Sequence, residues 1–244
     1  MTYVIIGASA GVGRALASAF ASAGHDLILV SSDERDLRAL TSDLGIRHGA
    51  RVTAIAADVN EGDAYLDQVA DAARRLGALD GMLFPLGATA DDDDGRFDPH
   101  LIRALSRVNY EAVVSAATRF LPELTERPRA TLVAFGSVAA LRGRSRNMAY
   151  GAAKRALLSF FESLRHACAH SRVRVQFYVL GYMETEQARG LQSWIPKGDP
   201  MALARRVCRD VHRDLGMVYY PAFWRLLAGG VRAVPWSIYK RLRF

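Results

Sequence analysis

The amino terminus restricts the fold of this chain more than any other segment, because a short apolar run leads directly into a glycine cluster. Residues 1–6 (Met-Thr-Tyr-Val-Ile-Ile) are typical of a buried parallel strand. Gly7, Gly11 and Gly13 follow, and an alanine-rich helical pattern covers residues 14–23. Glycines let the backbone turn tightly and approach a ligand, and the free N–H groups of the next helix attract a pyrophosphate. The order of strand, glycines and helix therefore predicts a dinucleotide-binding loop, although its spacing is GxxxGxG rather than GxGxxG.

Strand-like runs recur along the chain and alternate with helical patterns. They cover residues 4–6, 27–30, 52–56, 81–84, 132–135 and 173–180. Half of the 244 residues are hydrophobic, which is enough for one substantial core. The alternation predicts an α/β domain with a doubly wound parallel sheet between two helix layers. A ligand is then expected at the carboxyl ends of the strands.

Tyr150, Lys154 and Ser137 could share one proton-transfer site. Residues four apart lie on the same face of a helix, so the Lys154 ammonium can sit beside the Tyr150 phenol. A free tyrosine has a pKa of about 10, and a nearby ammonium is expected to lower it towards the range of an efficient acid–base group. Ser137 would hydrogen-bond the reacting oxygen. Only three of the 32 basic residues are lysines, which favours a specific role for Lys154.

With these segments, residues 3 to about 215 resemble the short-chain dehydrogenase/reductase family. The resemblance implies a Rossmann-type fold and NAD(P)-dependent hydride transfer between the nicotinamide C4 and a carbonyl or alcohol carbon. Tyr150 would be the proton donor or acceptor. The implied catalytic residues are Asn109, Ser137, Tyr150 and Lys154, with Asn109 holding a water in the proton relay. A non-catalytic NAD(P)-binding sensor or scaffold on the same fold is the alternative.

The resemblance also implies a binding site for the cofactor. Asp58 and Val59 would contact the adenine ring, and Thr185 would orient the nicotinamide carboxamide. The implied cofactor-binding residues are Gly7, Ser9, Gly11, Val12, Gly13, Ser31, Ser32, Arg35, Asp58, Val59, Gly87, Tyr150, Lys154, Gly181 and Thr185. Two positions depart from the family: Leu180 replaces a proline, and residues 85–87 read Pro-Leu-Gly instead of Asn-Ala-Gly. Both departures affect backbone near the nicotinamide and remove no reactive group.

The end of the second predicted strand favours NADP over NAD. NAD-preferring relatives usually carry an acid where Ser31 stands, and that carboxylate would repel a 2'-phosphate. Ser31 and Ser32 can instead donate hydrogen bonds to the phosphate, and Arg14 and Arg35 can supply charge. Asp33 argues for NAD, but we expect it to be turned past the ribose.

The sequence divides into a catalytic domain over residues 1–220 and a basic, aromatic tail over residues 221–244. We expect a segment at about 186–215 to cover the substrate. The tail carries five basic residues, no acid, and Trp224, Trp236 and Tyr239. This composition suits peripheral contact with a membrane or a lipid-linked substrate, and equally suits packing on another subunit. The tail is also similar to that of reductases of this family that act on polyprenylphosphoryl sugars.

The substrate implied by the family resemblance and the tail is a small-molecule or lipid-linked carbonyl or alcohol.

Other features favour a cytoplasmic protein. The chain has two cysteines without metal-like spacing, no cleavable leader and no 18-residue apolar run. We expect the tail to allow peripheral contact with the inner face of the membrane. We expect no metal, and we interpret the acidic run 91–94 as a solvated loop. No nucleic-acid motif accompanies the net charge of +7. An apolar stripe over residues 149–164 predicts that part of this helix faces another subunit, and the family resemblance implies a homodimer or homotetramer.

Overall fold

Seven parallel strands form one sheet at the centre of the computed structural model, which describes residues 1–95, 98–185 and 195–242. The strands are β1 (Thr2–Ile6), β2 (Asp26–Ser31), β3 (Val52–Ala56), β4 (Gly81–Phe84), β5 (Ala130–Ser137), β6 (Val173–Leu180) and β7 (Met217–Tyr220). Their order is β3-β2-β1-β4-β5-β6-β7, and every pairing is parallel. The predicted doubly wound sheet is confirmed. β7 was not predicted, because its four residues form only a short and mostly half-buried run.

Helices cover both faces of the sheet. They are α1 (Gly11–Ser22), α2 (Glu34–His48), α3 (Tyr65–Leu76), α4 (Pro99–Ser106), α5 (Ala112–Thr125), α6 (Met148–Ala167), α7 (Pro200–Asp210), α8 (Trp224–Ala233) and α9 (Trp236–Tyr239). One buried cluster unites the sheet with α3, α5 and α6, and a second unites it with α1, α2 and α7. These two apolar layers give the expected three-layer arrangement, because a parallel sheet must bury both faces.

The strand order reverses between β1 and β4, and this reversal positions the functional site. β1 leads towards β2 and β3, whereas β4 leads towards β5, β6 and β7. The crossovers on the two sides of this point diverge, which leaves a crevice at the carboxyl ends of the strands. Register pairs Ser137 with Leu180 at the ends of β5 and β6, so the residues after these strands reach the same edge.

The apolar stripe of α6 mostly packs inside its own chain. Ala153, Leu157, Phe161 and Leu164 are buried against the sheet, whereas Phe160 is only partly covered and Ala156 is exposed. The apolar surface of α6 that is left for contact with another subunit is therefore smaller than the sequence pattern indicated. Oligomerisation through this helix stays a prediction.

The segment expected to cover the substrate divides into parts with different positions. Residues 186–194 lie outside the described residues. α7 does not cover the cleft: it packs along α1, and Leu203, Ala204 and Val207 are fully buried in the second apolar cluster. Helix α7 was therefore placed wrongly, because its amphipathic pattern indicates burial of one face without indicating which element it meets.

The tail folds back onto the domain through two of its three large aromatic residues. Trp224 is buried, and its ring lies edge-on to Tyr182 with centroids 5.6 Å apart. Tyr239 is buried, its hydroxyl donates to the Gly143 carbonyl at 2.8 Å, and Arg142 stacks over its ring at 3.8 Å. Only Trp236 stays exposed, at 68%. The expectation that all three aromatics are available to a partner is therefore wrong for Trp224 and Tyr239.

Candidate active site

A cleft of about 930 Å³ lies at the carboxyl ends of the strands, at the point where the strand order reverses. It extends from the ends of β1 and β2 to the loop before α6. Ser137, Tyr150 and Lys154 line it, together with all of the predicted cofactor-binding residues except Gly13 and Arg35. The structure therefore brings residues from widely separated parts of the chain into one site.

The glycine loop brings β1 and α1 into close contact. Gly7 has a φ of +95°, which favours glycine over residues with a side chain. A Cβ on Gly13 would lie 1.9 Å from the Gly7 carbonyl oxygen, so the first turn of α1 can pack here only without a side chain. Gly13 thus supports the loop from behind, while Gly7, Ser9 and Gly11 face the cleft. Thr185 closes the other side, since its Cγ2 would be 3.2 Å from a Cβ on Gly11.

The end of β2 presents serines to the cleft and turns its acid away. Ser31 and Ser9 share a hydrogen bond of 2.6 Å, and Ser32 is exposed in the cleft wall. Asp33 caps α2 by accepting from the Asp36 amide at 2.8 Å, as expected for a side chain turned past the ribose. Arg35 is exposed and lies outside the cleft lining.

Arg14 and Asp58 each have a structural partner close to the cleft. The Arg14 guanidinium donates to the Ser9 carbonyl at 2.8 Å and to Asp36 at 2.9 Å. Asp58 caps the short turn Val59–Glu61, where it accepts from the amide and the side chain of Asn60. Asp58 and Val59 both line the cleft. These contacts fix the walls of the cleft next to β2 and β3.

Lys154 is almost completely buried beneath the cleft, one helical turn after Tyr150. Its Nζ donates to the carbonyl oxygens of Leu86 at 2.6 Å and Phe135 at 3.1 Å. Burial lowers the pKa of Lys154 to about 7. Residues 85–87, which depart from the family sequence, can therefore still hold Lys154, because the contact is made by the backbone carbonyl of Leu86 and not by a side chain.

The pKa of Tyr150 differs from the expectation. Burial raises the pKa of the Tyr150 phenol above its usual value, and a hydrogen bond with Ser137 and the positive charge of Arg144 oppose this rise. The prediction that Lys154 brings this pKa towards neutrality is wrong in this structure, because desolvation outweighs the effects of the neighbouring groups. The phenol therefore holds its proton at neutral pH.

Asn109 lies fully buried in a π-helical turn, Arg107–Glu111, between α4 and α5. Its Nδ2 donates to the carbonyls of Ala88 and Leu105, both at 2.9 Å, and its Oδ1 accepts from the Ala88 amide at 3.2 Å. A Cβ on Gly87 would lie 3.7 Å from Asn109 Oδ1 and 3.8 Å from Lys154 Nζ. Asn109 and Lys154 thus approach the same stretch of backbone from two sides.

Asp93 supports the helix that carries Tyr150, a role that the sequence did not identify. It is buried, and its carboxylate accepts from the backbone amides of Ala149 at 2.9 Å and Tyr150 at 3.0 Å. The interpretation of the whole acidic run as a solvated loop is therefore wrong at Asp93, which caps the first turn of α6 from another part of the chain. No local signal could have revealed a contact across 56 residues.

The cleft fits a nicotinamide dinucleotide. A Cβ on Gly7 would lie 3.2 Å from the Leu86 amide, so the glycine loop leaves free a space that any side chain would fill. This space adjoins the first turn of α1, whose backbone N–H groups suit a pyrophosphate. Within the described part of the chain, no group of three metal-ligating side chains is present, and no helix is long and apolar enough to span a bilayer.

Comparisons with known proteins agree with this geometry. The family described as short chain dehydrogenase matches residues 1–196. A 1-deoxy-11-beta-hydroxypentalenate dehydrogenase of Streptomyces exfoliatus is 32% identical over 203 residues, which cover 80% of this chain and 71% of that protein. A hydroxysteroid 11-beta-dehydrogenase 1-like protein of Macaca fascicularis is 31% identical over 229 residues, covering 91% of this chain and 78% of that protein.

A solved structure is also similar over almost the whole chain. The short-chain dehydrogenase from Sphingobium yanoikuyae, in complex with NADPH, superposes with a TM-score of 0.81 at 25% identity. The alignment covers 99% of this chain and 96% of that protein. With the family match and the related dehydrogenases, it follows that this chain belongs to the short-chain dehydrogenase/reductase family, whose members are oxidoreductases acting on CH–OH and C=O groups.

Proposed function

We propose that the protein is an NADPH-dependent carbonyl reductase in which Tyr150 donates the proton to the carbonyl oxygen. The observation that carries this proposal is that Tyr150, Ser137 and Lys154 line one cleft together with the glycine loop, so a bound nicotinamide and the Tyr150 phenol can reach the same carbonyl group. Ser137 interacts with the Tyr150 phenol and lines the same cleft, so its hydroxyl can hydrogen-bond the reacting oxygen. When bound, the nicotinamide supplies the hydride at its C4 atom.

The residues around Tyr150 orient it and support its proton. The two backbone amides capped by Asp93 fix the start of α6, so the phenol keeps its position relative to Ser137. Two backbone carbonyls hold the Lys154 ammonium. Because the pKa of Lys154 is about 7, this group can both carry and release a proton near neutral pH. Its proximity to Asn109 across Gly87 suits the water-mediated proton relay that the family resemblance implies.

The preference for NADPH over NADH is supported by the end of β2. Ser32 is exposed in the cleft wall. Asp33, the next residue, caps α2, and Asp36 pairs with Arg14. Serines thus stand at the end of β2, where a carboxylate would repel a 2'-phosphate. The similar dehydrogenase from Sphingobium yanoikuyae is a complex with NADPH.

Isotope transfer tests the reductase proposal. The wild-type protein is incubated with NADPH deuterated at C4 and a panel of ketones, and the alcohols are analysed by mass spectrometry. Each alcohol product should carry one deuterium when the C4 label is on the face of the nicotinamide from which the enzyme transfers the hydride. The alternative of a non-catalytic sensor predicts NADPH binding by calorimetry without labelled product for any ketone.

The tail supports a second proposal, peripheral contact with the cytoplasmic face of an anionic membrane and access to lipid-linked substrates. Five of the eight large hydrophobic side chains that are exposed in the described chain belong to it: Leu226, Leu227, Trp236, Ile238 and Leu242. Four basic residues, Arg225, Arg232, Lys240 and Arg241, are exposed among them. Apolar insertion and charge attraction can therefore act together, and each basic residue near such a surface contributes about 1 kcal/mol.

Vesicle binding distinguishes this contact from packing between subunits. Trp236→Ala with Ile238→Ala should reduce co-sedimentation with phosphatidylserine vesicles, whereas Ile46→Ala, on α2 and 82% exposed, should not. Point variants are needed because truncation at residue 220 would also remove the buried Trp224. If the wild type stays in the supernatant at low salt, and the double variant instead lowers the mass measured by light scattering, the subunit alternative holds.

A further inference from the structure

Arg144 occupies an unusual position in the cleft wall, in the loop between β5 and α6. It lines the same cleft as Tyr150, and its positive charge acts on the Tyr150 phenol. Its Nε is buried, yet it has no hydrogen-bond partner in the described part of the chain. A buried guanidinium N–H without an acceptor is costly, because desolvation is not compensated by a new hydrogen bond.

Neighbouring arginines on the same side of the molecule have structural partners. Arg142 donates to the backbone carbonyls of Val231 and Val234 and stacks on Tyr239, so it anchors the tail. Arg155 donates to the carbonyls of Ala140 and Leu141, both at 3.2 Å. Within the described ranges, Arg144 makes no comparable contact, and this difference leaves its guanidinium available to a ligand in the cleft.

The charges at this end of the cleft favour an anion. Arg146, which is exposed, lines the cleft beside Arg144. The described acids that line the cleft are Asp58 and Asp91, and none of the ion pairs between described residues joins either of them to Arg144 or Arg146. The carboxylate of Asp93 is buried and accepts from two backbone amides of α6. Among the residues that the structure describes, no acid therefore neutralises Arg144 or Arg146.

We propose that Arg144 binds an acidic group of the substrate, a carboxylate or a phosphate, while Tyr150 acts on the carbonyl of the same molecule. The proposal rests on the carbonyl reductase function given above, and it narrows the substrate class to acidic ketones. The glycine loop and the Ser31–Ser32 edge, which suit the cofactor phosphates, belong to the ends of β1 and β2. Arg144 belongs to the loop after β5, so a separate anion is required there.

Paired substrates test this assignment and separate the two sources of anion. One pair is 4-oxopentanoate and its methyl ester, and the other is dihydroxyacetone phosphate and dihydroxyacetone. Wild type should have the higher kcat/KM for the charged member of at least one pair. Arg144→Gln should reduce that charged-to-neutral ratio on the order of 10–100-fold, mainly through KM, because a charge-assisted hydrogen bond is lost. Arg144→Lys should retain part of it.

The ratio isolates anion recognition from other effects of the substitution. Any change in the Tyr150 pKa affects both members of a pair and cancels. Arg103→Gln is the matched control, since Arg103 is exposed on α4 and does not line the cleft. This control should leave the ratio unchanged. An equal ratio in wild type and Arg144→Gln overturns the proposal.

A binding measurement keeps the test independent of turnover. Pentanoate and propyl phosphate are titrated calorimetrically into protein saturated with NADP⁺, which removes the cofactor's own phosphate sites from competition. Wild type should bind one of the two anions, and Arg144→Gln should bind it on the order of 10-fold more weakly or worse. If no ketone is reduced, the reductase function fails while this result still decides the anion site. No binding by wild type, or equal binding by the variant, contradicts the site.

Discussion

Replacing Lys154 with methionine should change how the stability of the cofactor-free protein depends on pH. The pKa of Lys154 is lowered by burial from 10.5 to about 7. Between these values the unfolded chain binds the lysine proton and the folded chain does not, so the free energy of unfolding rises with pH in this window. The slope approaches about 1.4 kcal/mol per pH unit above pH 7. Integrated from pH 7 to pH 8.5, this slope raises the free energy of unfolding by about 1.5 kcal/mol.

Urea unfolding at pH 7 and pH 8.5, at one fixed protein concentration, measures this contribution. Methionine keeps the apolar stem but loses both hydrogen bonds to the carbonyls, so the variant is less stable at either pH. The quantity that matters is the difference between the two pH values, in which this constant loss cancels. Between pH 7 and pH 8.5, the free energy of unfolding should rise by about 1.5 kcal/mol less in the variant than in wild type. An identical increase in both proteins would show that Lys154 is charged and solvated in the folded state.

Three further changes test other parts of the site. Asp93→Ala should cost about 1–3 kcal/mol of stability and lower kcat more than KM, with partial rescue in Asp93→Asn, whereas exposed Asp92→Ala should be neutral in urea unfolding and in steady-state kinetics. Ser32→Asp should shift the ratio of kcat/KM values from NADPH towards NADH, and an unchanged ratio would place Ser32 away from the ribose. Gly181→Ala should destabilise the fold by about 1–3 kcal/mol, because its Cβ would lie 1.8 Å from Trp224 Nε1; an unchanged melting temperature would contradict this packing.

The parts of the site that the sequence predicted depend on local patterns. The strand, glycine and helix order at the amino terminus needs only residues close in sequence, and the Tyr150–Lys154 spacing needs only one helix. Family resemblance then related these segments to Asn109 and Ser137. Most of the residues identified in this way line one cleft in the structure.

The parts that the sequence did not predict depend on contacts between distant segments. Asp93 is one of four consecutive aspartates, and only the folded chain selects it to cap α6. The direction of the Tyr150 pKa shift results from burial, which residue spacing does not reveal. Tryptophan and tyrosine are residue types typical of a membrane interface, but Trp224 and Tyr239 are buried in the fold. Trp224 packs against Gly181, and Tyr239 hydrogen-bonds the Gly143 carbonyl.

The proton-transfer role of Tyr150 is tested most directly by Tyr150→Phe, with kcat and the dissociation constant of NADPH measured on the same preparation. Tyr219→Phe, the same chemical change in β7 outside the cleft, serves as the control. The glycine loop is intact in both variants, so NADPH should bind each about as tightly as it binds wild type. In Tyr150→Phe alone, kcat should fall ~10²–10⁴-fold, whereas retention of more than about a tenth of the wild-type kcat would contradict the role assigned to this phenol.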